Sequence, residues 1–254
     1  MISVKYRGRL GNNMFQRGIA EIFSNNVNVM VQDANCPSLL SRIMNDGSCG
    51  KTVGKQSGQI VLNDLELYGN TIFLKHFGAM YTNIHFEGFF QRSFLYLNRR
   101  DFFRNFYSLP HCNNKVGKDD VAVCVRRGDV TNTHFAIPLE YYEYVIEKHF
   151  ASNPLYIFTD SKDNVDVLSL ADKYDVKGVI SGDEIEDLSH LVCFDKIISG
   201  NSTLHWWAIF LGHATDVFLP LDNSAIGFMP EGINPVDLYL PFVNYIHYSK
   251  YIGG

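Results

Sequence analysis

No apolar run in this 254-residue chain approaches the 18 residues that would mark a bilayer-spanning helix, and no charged-then-apolar leader precedes the strand pattern at Ile2, Val4 and Tyr6. The expectation is a chain with no membrane span and no secretion signal, located in the cytoplasm. Cysteine is scarce. Cys36, Cys49, Cys112, Cys124 and Cys193 are odd in number, widely spaced and free of CxxC pairs, which predicts reduced thiols and no zinc site. There is no excess of positive charge, since 22 Lys and Arg face 27 Asp and Glu. A net charge of −5 offers no general attraction to nucleic acid or an anionic membrane, so any anionic ligand must be held by local geometry. No GxxxxGK loop ending in Ser or Thr is present, which argues against kinase chemistry. The third glycine of the dinucleotide fingerprint is missing too, which disfavours a Rossmann oxidoreductase. No Asp-x-Asp pair is available to grip Mg²⁺ or Mn²⁺ beside a diphosphate, and no metal is expected.

What is present is an alternating pattern. After Val121, apolar runs at 121–125, 155–159, 176–180, 196–198 and 217–219 alternate with helix-length segments at 138–150, 162–174, 185–193 and 203–213. These βα repeats predict a parallel, doubly wound sheet. Upstream, a strand at 2–6 runs into Gly8-Arg9-Leu10-Gly11 and a helix expected over 13–24, a second βα start, followed by a less regular middle with a loop at 47–58. The polar stretch 115–120 is the expected hinge, giving domains at 1–118 and 119–254, with the last segment free to pack back on the first domain. A hydrophobic content of 46% suffices for two such cores.

The strand Val121-Ala-Val-Cys-Val125 ends on Arg126-Arg127-Gly128-Asp129, and no arginine follows in the remaining chain. In open α/β sheets ligands bind beyond the carboxyl ends of strands, and a guanidinium fork matches phosphate oxygens in a bidentate way that an ammonium does not. The pair is a candidate diphosphate clamp, compensating the charge of a departing nucleoside diphosphate without a metal. The alternative is a structural bridge from arginine to Asp129. Gly8, Arg9, Gly11, Asn12, Asn13 and Gln16 follow a strand and open a helix, whose unpaired N–H groups suit an anion, or form only a tight turn. Asn201, Ser202 and Thr203 repeat that arrangement, with Ser202 or Asn201 as the expected cap and Trp206 and Trp207 as core. Asp160, at the end of 155–159, shares the same edge. Glu87, Asp129 and His205 are candidates for accepting a proton, each with a plain supporting role as the alternative. His134 belongs to a loop and is expected to be solvated.

Five segments in this order, Gly8 to Gln16, Glu87-Gly-Phe-Phe-Gln91, Val125-Arg-Arg-Gly-Asp129, Ile157-Phe-Thr-Asp160 and Ile198 to Trp207, resemble the alpha-1,2-fucosyltransferases of glycosyltransferase family 11. The resemblance implies a GT-B-like α/β fold of two Rossmann-like domains facing a cleft, with an acceptor-side N-terminal domain. It further implies an inverting, metal-independent enzyme with no cofactor, whose donor substrate is GDP-fucose or a related GDP-sugar and whose partner is a glycan acceptor. By that resemblance Arg126 grips the diphosphate, and Arg127 and Asp129 shape the site. Asp160, Ser202 and Thr203 line the guanosine and phosphate pocket, and Asn12 closes over the pyrophosphate. The chain departs from the family pattern at Cys124, where the family has histidine, at Asn13, where it has glutamine, and at Ser161, where it has aspartate. Related readings are transfer of another GDP-deoxyhexose such as rhamnose, protein O-fucosylation, or a non-catalytic glycan-binding module.

Overall fold

Strand β1 (Ile2–Val4) forms where Ile2 and Val4 alternate with Ser3, so one face is buried and the other half-open. The computed structural model describes residues 1–27, 29–33, 35–45, 60–64, 83–110, 116–130, 136–221 and 238–247; the loop at 47–58, Lys115 and His134 lie outside them. Two compact units divide the chain, Met1–Ser108 and Leu109–Gly254.

In the first unit β1 is followed by α1 (Leu10–Val27) and α2 (Ser38–Arg42), then β2 (Ile60–Leu62), β3 (Ile84–Phe86), α3 (Ser93–Tyr96), a 3-10 turn at Leu97–Arg99 and α4 (Arg100–Phe106). The strands form a parallel sheet in the order β1-β3-β2. Helix α1 starts three residues before the expected Asn13, because Leu10 is already buried and draws Gly11 and Asn12 into the first turn against their weak helix preference. Met14, Phe15, Ile19, Ala20 and Phe23 turn its inner face into core. Arg17 is buried on that face as well, paired with Glu21 at 2.6 Å and lying 3.9 Å from Asp33. The expectation of five reduced thiols is corrected here: Cys36 is disulfide-bonded, and its partner lies outside the described residues.

One titration in this unit has a predictable sign. His85, paired in register with Ser3 and 2.9 Å from its hydroxyl, has its imidazole pushed below the ordinary value, first by burial and then by Lys5, with Glu87 and Asp33 pulling the other way. The unfolded chain therefore binds this proton more readily. The stability that His85 supports is complete above about pH 6.5 and is lost as pH falls through the folded value. Asp33, raised by burial, acts with the opposite sign at lower pH. Urea midpoints across this range should fall with acidification in the parent, and the slope should flatten in His85→Gln.

In the second unit the predicted repeats appear as β4 (Val121–Val125), α5 (Leu139–His149), β5 (Leu155–Thr159), α6 (Val165–Lys173), β6 (Val176–Ile180), α7 (Glu184–Leu191), β7 (Lys196–Ser199), α8 (Thr203–Leu211), β8 (Asp216–Pro220) and β9 (Asn244–Ile246). All pairings are parallel, in the order β6-β5-β4-β7-β8-β9. Every residue of β4 is buried, as a central strand covered on both faces requires. Tyr141, Tyr142, Val145 and Ile146 of α5 cover one face of the sheet, packing on Val121, Val123 and Ile157. Trp207, Ile209 and Phe210 of α8 are fully buried, and Trp206 stacks on Phe210 at 4.8 Å, so both tryptophans are core as expected. Two helix starts in this unit carry side-chain caps: Asn164 accepts from Asp166 N–H, and Asp183 with Glu186 forms a capping box.

Gly212 closes α8. A Cβ there would stand 2.7 Å from the Ala208 carbonyl and 3.0 Å from that of Val192, both backbone. Gly212→Ala should destabilise the unit by about 1–3 kcal/mol, read as a lower urea midpoint with unchanged m-value.

Candidate functional site at the carboxyl edge of the second sheet

From β4 the chain steps outward through β5 to β6, then crosses back and continues through β7 and β8 on the other side. The loops after β4 and β7 therefore diverge, and this reversal of strand order is where doubly wound sheets form a crevice. Cys124 pairs with Ser199 and Val125 with Thr159, so Arg126, Gly200 and Asp160 all emerge at one edge.

Arg126 leaves β4 with its side chain mostly buried. Its Nε and one terminal nitrogen donate to Asp129 Oδ1 at 3.0 and 2.7 Å, and the same nitrogen reaches Oδ2 at 2.7 Å. The bridge weighed above as the alternative is thus present. Its partner is 59% exposed, so the pair is screened and adds little stability. Asp160 stands behind the turn. Its Oδ1 accepts the N–H groups of both Arg127 and Gly128 at 2.8 Å, and its Oδ2 lies 3.8 Å from Arg126 Nε. Gly128 is required for that approach, since a Cβ would sit 2.8 Å from the carboxylate.

Arg127 behaves differently from its neighbour. Consecutive side chains at a strand end point to opposite faces, and Arg127 turns inward. It is 3% exposed, donating from Nε to Asp166 at 2.5 Å, from one terminal nitrogen to the Arg126 carbonyl at 2.9 Å and from the other to the Ile137 carbonyl at 2.5 Å. Its guanidinium also lies 5.9 Å from the Tyr142 ring centroid. The expectation of two guanidiniums gripping one diphosphate is therefore corrected to one at the edge and one in the core.

The turn after β7 is braced from below. Tyr141 and Tyr142 donate to the carbonyls of Ser199 and Cys124, both at 3.1 Å, tying α5 to the two strand ends that flank the reversal of strand order. The sequence reading assigned these tyrosines no part in the site, although two adjacent tyrosines within a buried helix face signal polar tips in need of partners. Gly200 fits under this brace, because a Cβ would meet the Tyr142 hydroxyl at 2.8 Å. Ser202 occupies the N-cap position of α8 in extended conformation, yet its hydroxyl makes no capping bond. Asn201, Ser202 and Thr203 are half-exposed there, beside the amide groups of the first helical turn. His205 lies on that turn with Nδ1 3.0 Å from Ser199 Oγ. The Cys124 thiol is pushed up by burial, which leaves it a packing group and no nucleophile.

In the first unit, the Gly8–Gln16 and Glu87–Gln91 segments meet. Gln16 donates to the Gly88 carbonyl at 3.0 Å and accepts from Arg7 N–H at 3.1 Å, while Gln91 donates to Asn12 Oδ1 at 3.0 Å. Asn13 is buried and donates to the Arg7 carbonyl at 3.2 Å, so its amide is directed into the loop. Gly8 has φ +80, and a Cβ would collide with the Asn12 side chain; Gly11 is buried in the first turn, whereas Arg9 is exposed. Asp64, unforeseen from sequence, accepts from the N–H groups of Phe89 and Phe90 at 2.7 and 2.6 Å and holds Phe90 at φ +53. Glu87 is engaged by Lys5 and Arg7, and the Lys5 ammonium lowers its proton affinity, the wrong direction for a general base at neutral pH.

No protein-family model matches this chain, and no curated protein sequence does. A solved structure does match: a mutant of Arabidopsis thaliana FUT1 in complex with GDP, at TM-score 0.56 and 9% identity, over 88% of this chain and 71% of that one. At that identity the likeness shows the fold alone. It is a GT-B-like α/β architecture built on two parallel sheets, as the sequence led us to expect.

Proposed function

We propose that the chain is an inverting, metal-independent glycosyltransferase that moves L-fucose from GDP-fucose to a hydroxyl of a glycan, with the 2-position of a galactoside as the preferred acceptor. The observation that carries this reading is the placement of Arg126 and the first turn of α8 on either side of the strand-order reversal, one guanidinium and one helix N-terminus converging on the same edge. The GDP complex of the structural neighbour and the five family-like segments support the choice of nucleotide and sugar.

In the proposed step the acceptor oxygen bonds to the anomeric carbon from the face opposite the leaving group. The bond from that carbon to the β-phosphate oxygen breaks, and its electron pair leaves on GDP. Arg126 and the α8 amide groups take up the charge that develops. The hydroxyl proton passes to solvent, which an oxocarbenium-like path allows without a strong base. Asp160 contributes by holding the turn, and Ser202 by offering a hydroxyl.

Thermal shift tests this directly. GDP should raise the melting temperature and UDP and NAD should not. GDP-fucose should then be turned over with a galactoside acceptor faster than GDP-rhamnose. Stabilisation by GDP without turnover of either sugar nucleotide would favour a glycan-binding module, and no response to GDP would end the proposal.

A further inference from the structure

Resting on the reading of this edge as a nucleotide diphosphate site, we infer that Asp166 is a positioning residue for it, acting through Arg127. Asp166 touches no candidate ligand group. It lies on the first turn of α6, where a carboxylate is favoured by the helix dipole, and its own N–H is capped by Asn164 at 3.0 Å. From there it takes the Nε of Arg127 at 2.5 Å.

Arg127 in turn fastens both ends of the connection that carries Arg126. One terminal nitrogen holds the Arg126 carbonyl where the chain leaves β4, and the other holds the Ile137 carbonyl where it returns toward α5. A guanidinium does this because its donors are fixed in one plane and point in three directions, toward Asp166, Arg126 and Ile137. The segment from β5 to α6 thus grips the turn twice, through Asp160 on the backbone N–H groups and through Asp166 on the Arg127 side chain. Two neighbouring arginines divide the work: the first, bridged to Asp129 in the free protein, is the one proposed to meet the ligand, and the second fixes where its guanidinium stands.

The consequence is a loss of ligand affinity from a substitution that leaves every ligand-contacting residue in place. Asp166→Asn should weaken GDP binding about tenfold, the scale on which removal of an outer-shell partner acts. Arg127→Lys should match it, because one ammonium does not reproduce the three-way fork. Asp166→Glu should restore most of the affinity. In turnover the loss should fall on kcat as well as on KM for the sugar nucleotide, because the fork that Arg127 positions is the one proposed to take up charge in the transition state.

The experiment is calorimetric titration of GDP into the full chain and these variants, at a temperature where circular dichroism shows each folded. Glu147→Gln, which breaks the exposed pair between Glu147 on α5 and Lys173 on α6, is the charge-matched control and should bind GDP as the parent does. If Asp166→Asn does not fold, the double variant Arg127→Met with Asp166→Leu removes both charges together and leaves neither buried alone. It should fold and still bind GDP weakly. GDP affinity within about twofold of the parent in folded Asp166→Asn, in Arg127→Lys or in the double variant overturns the inference while the nucleotide site stands. A parent that does not bind GDP overturns the functional reading instead.

Discussion

Arg126→Ala should abolish transfer and weaken GDP binding by about 2–3 kcal/mol while leaving the fold intact. The two effects separate because of how Arg126 is placed. Its ion pair with Asp129 has a 59% exposed partner, so losing it costs about 0–1 kcal/mol of stability. In the proposed reaction, in contrast, charge on a leaving diphosphate would develop beside this guanidinium, and removal of one such preorganised donor lowers kcat by roughly 10²–10³. Arg126→Lys should recover part of the binding and little of the rate, since an ammonium keeps the charge and loses the fork. Melting temperature, GDP affinity and turnover of GDP-fucose, measured on the same preparation, check all three statements. Turnover within a few-fold of the parent would remove Arg126 from the mechanism.

The largest loss of stability is expected at Trp207. It is fully buried on α8, with its ring edge-to-face against Trp206 at 5.2 Å and Phe210 at 5.6 Å. Trp207→Ala removes this packing and leaves a cavity, a change of about 3–5 kcal/mol. Against a total stability of about 5–15 kcal/mol for a typical domain, that brings the second unit near its threshold. Because α8 also offers its first turn to the proposed ligand, GDP should restore part of the lost melting temperature by mass action. Trp206→Ala should cost less, since Trp206 lies at the edge of the cluster, although its indole N–H donates to the Leu238 carbonyl at 2.9 Å. Equal losses in the two variants would show that burial does not rank these rings.

The sequence disclosed the second unit more fully than the first. Continuous apolar runs such as 121–125 and 155–159 are legible because a strand buried on both faces leaves no alternation to interpret. Arg126 was legible for the same reason, as a charge at the end of such a run. The opposite fates of Arg126 and Arg127 follow from the two-residue period of extended chain, a signal present in the sequence and not used. Asp166 and Asp64 were hidden because their partners lie 39 residues away at Arg127 and 25 or 26 residues away at Phe89 and Phe90, distances at which only the folded register says who meets whom. Helix α1 began early because burial of Leu10 outweighed the weak propensity of Gly11 and Asn12, and Cys36 found a partner that spacing gave no reason to expect.

The wholly buried β4 carries a cost before folding is complete. Val-Ala-Val-Cys-Val is a short, uncharged segment of high strand propensity, and its neighbours β5 and β7 are synthesised only later in the chain. Until both arrive, it is the kind of stretch that stacks with copies of itself. It is flanked by Lys118, Asp119 and Asp120 on one side and Arg126, Arg127 and Asp129 on the other, charges that act as gatekeepers against such association. The arginines proposed to bind and to brace in the finished protein are therefore also placed where charges oppose self-association of the unpaired strand.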